Sequence, residues 1–412
     1  MSPVPDSREN RAFGEVLRRF VHTGAQRLLA RARTPIVEPA QVQRATPLLR
    51  CGVVGLGVMG LKHCEALRRH GRVSLAGITS RQTQKHAQAE HYGCRWFESP
   101  EQMLDSGEVD AVVIATPHWQ HPSLTIAALR AGLHVICEKP LSVTVEQADA
   151  VLRAARSSRG LLTVVYQSRF HPAYSFVKSL LAGGELGPIM RCEMTETCWR
   201  PSAYYRSASW RGTWHGEGGG VLVNQAPHVV DRYLWLCGMP RQVGGFCDTA
   251  LHPIEVEDTV SMSLRHAGGM HGYLHVSTTE SPWMSRLLIT CDRGLVTMDN
   301  GCVRVTRLRG SLRQHTAEAS LGSPELAGGG REYESAPVDD PGLLARTYEN
   351  FALAVAGLQP LMVTAAEAVQ AVEVANAGLM SSATGEVISL PVDRAACAAF
   401  FAKRIDGRTP PK

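Results

Sequence analysis

Three short stretches of this 412-residue chain carry residue types at spacings that could do chemistry. The first is Gly55-Leu56-Gly57-Val58-Met59-Gly60, a GxGxxG that directly follows an apolar run and opens a helical one. Gly55 permits a tight turn, Gly57 lets backbone approach a pyrophosphate, and Gly60 lets helix and strand pack closely. The helix start, with Val58 and Met59 in its first turn, brings unpaired N–H groups to the anion. This predicts a bound dinucleotide. Twenty residues beyond Gly60 an NAD site carries Asp or Glu for the ribose 2′-hydroxyl, but this chain has Ser80 and Arg81. Ser80 can hydrogen-bond a 2′-phosphate and Arg81 can pair with it, so the two favour NADP over NAD. If Arg81 is only a solvated helix-start residue, either cofactor would serve.

The second stretch is Glu138-Lys139-Pro140, at the end of the apolar run HVIC. Ligands of open α/β sheets bind beyond the carboxyl ends of the strands, which aims Lys139 at a cofactor. A lysine there can hydrogen-bond a hydroxyl and stabilise alkoxide character as hydride leaves. The third is Gly218-Gly219-Gly220-Val221-Leu222-Val223-Asn224-Gln225-Ala226-Pro227-His228. Its glycines allow backbone to lie flat against a ring, and Asn224 and His228 are close enough to face one pocket. Pro227 suits a first helical turn, so His228 sits near a positive dipole end that keeps an imidazole neutral, as a general base must be.

These residues need elements to position them. From Leu49 short apolar runs alternate with helical stretches: strands at Leu49–Gly55, Val73–Ser80, Ala111–Thr116, His134–Cys137 and Leu161–Gln167, with helices between them. That rhythm predicts a doubly wound parallel sheet. After about residue 186 successive strands separated by turns predict an α+β domain with a mostly antiparallel sheet. Residues 310–335, rich in Gly, Ser and Glu, read as a long surface loop. Two helices follow near 343–357 and 365–382, then a short strand at Val387–Leu390.

Hydrophobic content of 44% and charged content of 20% suit a globular protein and exclude general disorder. The net charge of +5 is local, because residues 1–50 hold nine Arg and four acidic residues. The remainder is balanced, so the folded part is no nucleic-acid binder by charge. No apolar run is long enough to span a membrane. Eleven scattered Cys without a CxxC pair read as small buried hydrophobes in a reducing cytosol, with no metal site. Residues 7–33 have apolar residues at helical spacing among arginines. That stretch reads as a basic amphipathic helix packed on the body or a second subunit, as disorder, or as a membrane or targeting segment.

GLGVMG, IATPHWQH, AGLHVICEKPLS, YQSRFHPAY, WRGTW and GGGVLVNQAPHVVD together resemble the glucose–fructose oxidoreductase and inositol dehydrogenase (Gfo/Idh/MocA) family, over roughly Cys51 to Leu390. The resemblance implies a fold of class α/β. A Rossmann domain at 49–170 would precede an α/β domain at 171–391 with an open antiparallel-dominated sheet, flanked by an extension at 1–48 and a tail at 392–412. It implies NADP or NAD as cofactor and a homodimer or homotetramer through that sheet. It also implies a cis peptide before Pro140. Lys139 matches the EKP lysine and His228 the proton acceptor. Ala115, Thr116, Pro117, His121 and Glu138 match cofactor-lining positions, as do Arg169, Trp210 and Arg211. Asn224 departs from the family, many of whose members carry Asp there; it would orient a hydroxyl rather than take a proton.

The implied reaction is reversible hydride transfer between nicotinamide C4 and a ring carbon bearing a secondary hydroxyl. The substrate would be a sugar, sugar nucleotide, amino sugar or cyclitol. Lys139, Tyr166, Arg169, Asn224 and His228 are its expected contacts, with Trp199, Tyr204, Tyr205 and Trp210 able to stack on its ring. Three other readings stay open: a relative that uses tightly held cofactor for transient oxidation in hydrolysis or elimination, a dinucleotide-sensing regulator, and a reductase of dihydrodiol or biliverdin type.

Overall fold

The computed structural model describes residues 48–333, 340 and 342–406. The basic helix expected near 7–33 lies outside the described residues. The first lobe is built from β1 (Leu49–Val54), α1 (Val58–Arg68), β2 (Val73–Thr79), α2 (Ala87–Tyr92), β3 (Arg95–Trp96), α3 (Pro100–Asp105) and β4 (Ala111–Ile114). It continues through α4 (His121–Arg130), β5 (His134–Cys137), α5 (Val145–Ser157) and β6 (Leu162–Val164). The six strands pair in parallel in the order β3-β2-β1-β4-β5-β6. All four residues of β4 are buried, as a strand covered on both faces requires. The strand order reverses at β1, so a crevice opens between the tips of β1 and β4, where ligands of such sheets bind. The glycine turn leaves β1 there, and Lys139 leaves the next strand, β5.

The second lobe adds α6 (Pro172–Ala182), β7 (Ile189–Thr197), α7 (Ser202–Arg206), α8 (Val221–Asn224), α9 (Pro227–Cys237) and β8 (Gln242–Asp248). There follow β9 (Thr259–Arg265), β10 (His271–Ser277), β11 (Met284–Cys291), β12 (Gly294–Asp299), β13 (Cys302–Leu308), α10 (Leu312–Glu318) and β14 (Gly328–Tyr333). The chain then forms α11 (Leu343–Val355), α12 (Ala365–Thr384), β15 (Ile388–Ser389) and α13 (Arg394–Asp406). Nine strands order as β14-β13-β12-β11-β7-β10-β9-β8-β15. Every pair is antiparallel except β7 with β10. In β9, Val260, Met262 and Leu264 are buried while Ser261, Ser263 and Arg265 are exposed, the alternation of a sheet packed on one face. The other face carries exposed Phe246 and Tyr273.

The lobes are joined by side chains. Asn376 of α12 donates to the Val143 carbonyl and accepts from Val145 N–H, both at 2.9 Å, fixing the start of α5. Helix α11 packs its Tyr348, Phe351 and Ala352 against Cys51, Val53 and Ile78. Helix α11, expected in the second domain, thus helps cover one face of the first sheet. Two further expectations change. The surface loop at 310–335 contains α10 and β14, the latter paired with β13. The tail at 392–412 is largely helix α13, whose Cys397 and Phe401 are buried and whose Arg394 pairs with Asp149 at 2.9 Å. Its run RAACAAFFAKRID is rich in strong helix formers with an apolar side. Among the described residues no helix is long and apolar enough to cross a membrane.

Candidate active site

The three glycines of the first motif do different work. Gly55 has φ +97, and a Cβ there would meet the Ala115 carbonyl oxygen at 2.7 Å. A Cβ on Gly60 would lie 1.8 Å from the Gly55 oxygen. Both are demanded by the fold. A Cβ on Gly57 would touch nothing within 4 Å, so the open space above it is not used by the protein. Gly57 caps α1 with no side chain bonded to the first N–H groups and no acidic residue in the first turn. Val58 is 72% exposed, and Met59 is partly exposed. Beside this turn the Thr116 hydroxyl is buried without a partner. Free amides, an open cradle and an orphaned hydroxyl fit a pyrophosphate-bearing dinucleotide. Ser80 and Arg81 stand at the tip of β2, Ser80 Oγ accepting from Gln82 N–H at 3.2 Å and Arg81 exposed. Lys85, which the sequence reading missed, donates to the Leu56 carbonyl and adds a cation to the turn.

His121 does not face the cleft directly. Its Nδ1 lies 2.7 Å from the Pro140 carbonyl and its Nε2 2.8 Å from that of Thr116. Burial pushes its pKa down although both carbonyls favour the protonated ring. The ring sits between the tips of β4 and β5, and in its neutral form it donates to one of these two carbonyls. Ala115, Thr116 and Pro117 form the loop it holds and are partly exposed at those tips. Glu138 is also committed within the protein. Its Oε1 is 2.9 Å from His63 Nε2, and its Oε2 accepts from the Lys139 N–H at 3.1 Å. Burial would raise this carboxyl, but His63 and the Lys139 charge bring it down to about 2. His63 reaches Tyr348 with its other nitrogen at 2.6 Å. Glu138 therefore anchors the turn that presents Lys139, with both carboxylate oxygens engaged inside the protein. The peptide before Pro140 is cis.

Lys139 crosses to the second lobe, where its ammonium donates to the Asn224 carbonyl. Burial lowers its pKa, opposed by the charges of Glu138 and Glu217. The Asn224 amide nitrogen donates to Glu217 Oε1 and lies 3.2 Å from the Tyr204 hydroxyl. Two acceptors fix that nitrogen, so Oδ1 is the end left for a ligand. Glu217 is buried, and its second oxygen accepts from Gly212 N–H at 2.6 Å. Burial raises its pKa against the pull of these bonds and of Arg211 and Lys139.

His228 stands in the first turn of α9, after Pro227. Its Nδ1 is buried with no partner. Its pKa is lowered to about 3 by burial, and by the charges of Lys139 and Arg232. The ring is therefore neutral at ordinary pH and available as a base. It meets Tyr166 edge-on at 5.9 Å, and the Tyr166 hydroxyl is likewise buried without a partner. The neighbouring glycines do not lie against open space. A Cβ on Gly218 would strike Val143 at 2.2 Å, and one on Gly220 the Glu257 carbonyl oxygen at 1.7 Å. Glu257 also accepts from the N–H groups of Gly220 and Leu222 at 2.9 and 3.0 Å. The glycines are packing residues that let the segment before α8 lie close to Val143 and the 255–258 segment, rather than a platform for a ring.

Arg169 is removed from the site. It is 1% exposed and holds Asp231 through two bonds of 2.9 and 2.6 Å, Glu367 at 2.8 Å and the Met362 carbonyl at 3.0 Å. It ties the segment after β6 to α9 and α12. Tyr205 is also core, its hydroxyl 2.8 Å from Thr278 Oγ1. Trp199 is exposed. Trp210 stacks edge-on with buried His118 at 5.3 Å, and the Arg211 guanidinium lies over Trp210 at 4.5 Å. Sequence reading missed Glu217, His63 and His118; an acid directly before three glycines was a usable signal for the first.

A family model described as an oxidoreductase family with an NAD-binding Rossmann fold matches residues 49–166. The GFO/IDH/MocA C-terminal domain matches residues 174–297. This chain belongs to the Gfo/Idh/MocA family of oxidoreductases. It is 32% identical over 230 residues to inositol 2-dehydrogenase 2 of Saccharopolyspora erythraea, spanning 52% of this chain and 64% of that enzyme. It is 26% identical over 202 residues to scyllo-inositol 2-dehydrogenase (NADP(+)) IolW of Bacillus subtilis, spanning 49% of this chain and 55% of that one. The chain thus covers less than two thirds of these curated relatives. The WlbA dehydrogenase of Bordetella pertussis, solved with NADH and UDP-GlcNAcA, superposes with a TM-score of 0.70 at 29% identity, over 84% of this chain and 99% of that one.

Proposed function

We propose that the chain is a nicotinamide-dependent dehydrogenase acting on a secondary hydroxyl, or its ketone, of a sugar, sugar nucleotide, amino sugar or cyclitol. One observation carries the reading. Lys139, from a strand tip of the first lobe, bonds to the Asn224 carbonyl of the second, four residues before His228, whose Nδ1 is buried without a partner. Gly55, Gly57, Gly60 and the Thr116 loop would hold the dinucleotide, which supplies the hydride acceptor or donor when bound. His228, neutral and poorly solvated, takes the hydroxyl proton. Lys139 donates to the same oxygen and stabilises its developing negative charge. Asn224 Oδ1 accepts from a neighbouring hydroxyl, and Glu217 holds that amide in place. General-base help of this kind contributes ~10²–10⁴-fold, and positioning supplies the rest.

Exposed Arg81, with Ser80 beside it and no carboxylate at the tip of β2, supports NADP over NAD. The inositol dehydrogenases and the UDP-GlcNAcA complex among its relatives support a ring polyol or sugar nucleotide as substrate. A second copy on the open face of the second sheet would cover Phe246, which is 76% exposed. The test is a screen of sugars, cyclitols and their keto forms with both cofactors, following nicotinamide absorbance. Turnover that disappears in His228→Gln supports the reading, and turnover indifferent to that change rejects it.

A further inference from the structure

The cleft end of the second lobe has more cationic donors than acceptors. Arg200 follows β7, and its guanidinium lies over the Tyr204 ring at 5.3 Å. Arg211 lies over the same ring at 4.3 Å and donates to the Tyr204 hydroxyl. That hydroxyl also lies within reach of the Asn224 amide, whose own backbone carbonyl holds Lys139. The two guanidinium groups therefore border the place where the reacting hydroxyl would sit. Neither makes an ion pair with a carboxylate among the described residues, and Nε of each is buried without a partner. The nearby carboxylate, Glu217, is already taken by Asn224 and Gly212 N–H. Two cations stacked on one aromatic ring repel each other, and stacking offsets only part of the loss of water around them. Their planar forks suit an oxyanion.

We infer that the substrate of this site carries an anionic group, a carboxylate or a phosphate, received by Arg200 and Arg211 around Tyr204. The inference rests on the dehydrogenase reading above and narrows its substrate class to acidic sugars and their derivatives. A neutral polyol would leave both guanidinium groups without an ion-pair partner, and the Nε of each unbonded.

The test measures binding to the NADPH- or NADH-loaded full chain by quenching of cofactor fluorescence. Matched probes share a ring and differ in charge: D-glucose against D-glucuronate and D-glucose 6-phosphate, and UDP-N-acetylglucosamine against its uronate. Charge-assisted hydrogen bonds contribute roughly 1.5–3 kcal/mol, so the acidic member of at least one pair binds roughly 10–100-fold more tightly. The arm with the larger advantage tells carboxylate from phosphate. Arg200→Gln and Arg211→Gln each erase most of that advantage, while Arg200→Lys, which keeps charge but not the fork, retains part of it. Cofactor affinity and melting temperature check that each variant folds. Equal binding of neutral and acidic probes, an advantage that survives both Gln variants, or no binding of any acidic probe overturns the inference. Hydride transfer to neutral sugars alone removes the inference and leaves the dehydrogenase reading intact. An acid preference with no hydride transfer to any probe does the reverse.

Discussion

Replacing Lys139 by Met removes one donor and one positive charge while keeping most of the side-chain volume. The donor now rests on the Asn224 carbonyl, and in the proposed mechanism it follows the substrate oxygen as that oxygen gains charge. Losing one preorganised donor from a poorly solvated site costs about 2.7–4 kcal/mol in the transition state, or ~10²–10³ in turnover. The charge has a second effect. Burial is the main reason His228 is held near 3, and Lys139 adds to it. Without that charge the His228 pKa rises, though burial still keeps it below its ordinary value. In the wild type the imidazole stays neutral well into the acid range, so His228 should give no loss of kcat/KM near pH 6.5. In Lys139→Met protonation begins at higher pH, and the acid limb of kcat/KM moves upward. The assay is kcat/KM against pH for both proteins, with cofactor affinity measured separately. Turnover within about threefold of wild type, or an acid limb that stays in place, would refute the assigned roles.

Other consequences are as direct. Gly57→Ala adds a methyl to open space, so stability should change by less than ~1 kcal/mol while dinucleotide affinity falls; Gly60→Ala drives a methyl into a backbone carbonyl and should cost at least ~1–3 kcal/mol in chemical denaturation. Equal behaviour of the two variants would contradict the separate roles given to these glycines. Arg169→Leu strands Asp231, whose carboxyl burial already pushes up to about 6 against the arginine's pull, and should lose ~3–5 kcal/mol of stability. A near-wild-type denaturation midpoint would return Arg169 to the list of possible ligand contacts. Arg81→Ala should weaken NADP binding and spare NAD, measured by cofactor titration; an equal effect on both would reject the phosphate contact.

Much of the frame was legible because local signals carried it. The GxGxxG was bracketed by an apolar strand and a helix. The apolar runs of β4 and β5 could pack only as covered strands, and Pro227 marked the start of α9. What escaped the sequence depended on distant partners. Arg169 is a plausible ligand contact until Asp231 and Glu367, 62 and 198 residues away, are seen to claim its donors. Glu138 is caught by His63 across 75 residues, and His63 by Tyr348 across 285. Neither link leaves a spacing that can be read from the chain. The glycines at 218–220 suggested a ligand platform, but they answer to the backbone of Glu257 and the side chain of Val143. Helix α13 was hidden by the Pro- and Lys-rich end that follows it, although its alanine-rich composition was helical throughout.

The most direct measurement is label transfer from C4-deuterated reduced cofactor to a panel of keto sugars, keto cyclitols and keto uronates, read by mass spectrometry. The account predicts deuterium on a single ring carbon of at least one product, and loss of the label in both Lys139→Met and His228→Gln. No transfer to any member of the panel by cofactor-loaded protein, or transfer that persists in those two variants, would contradict it.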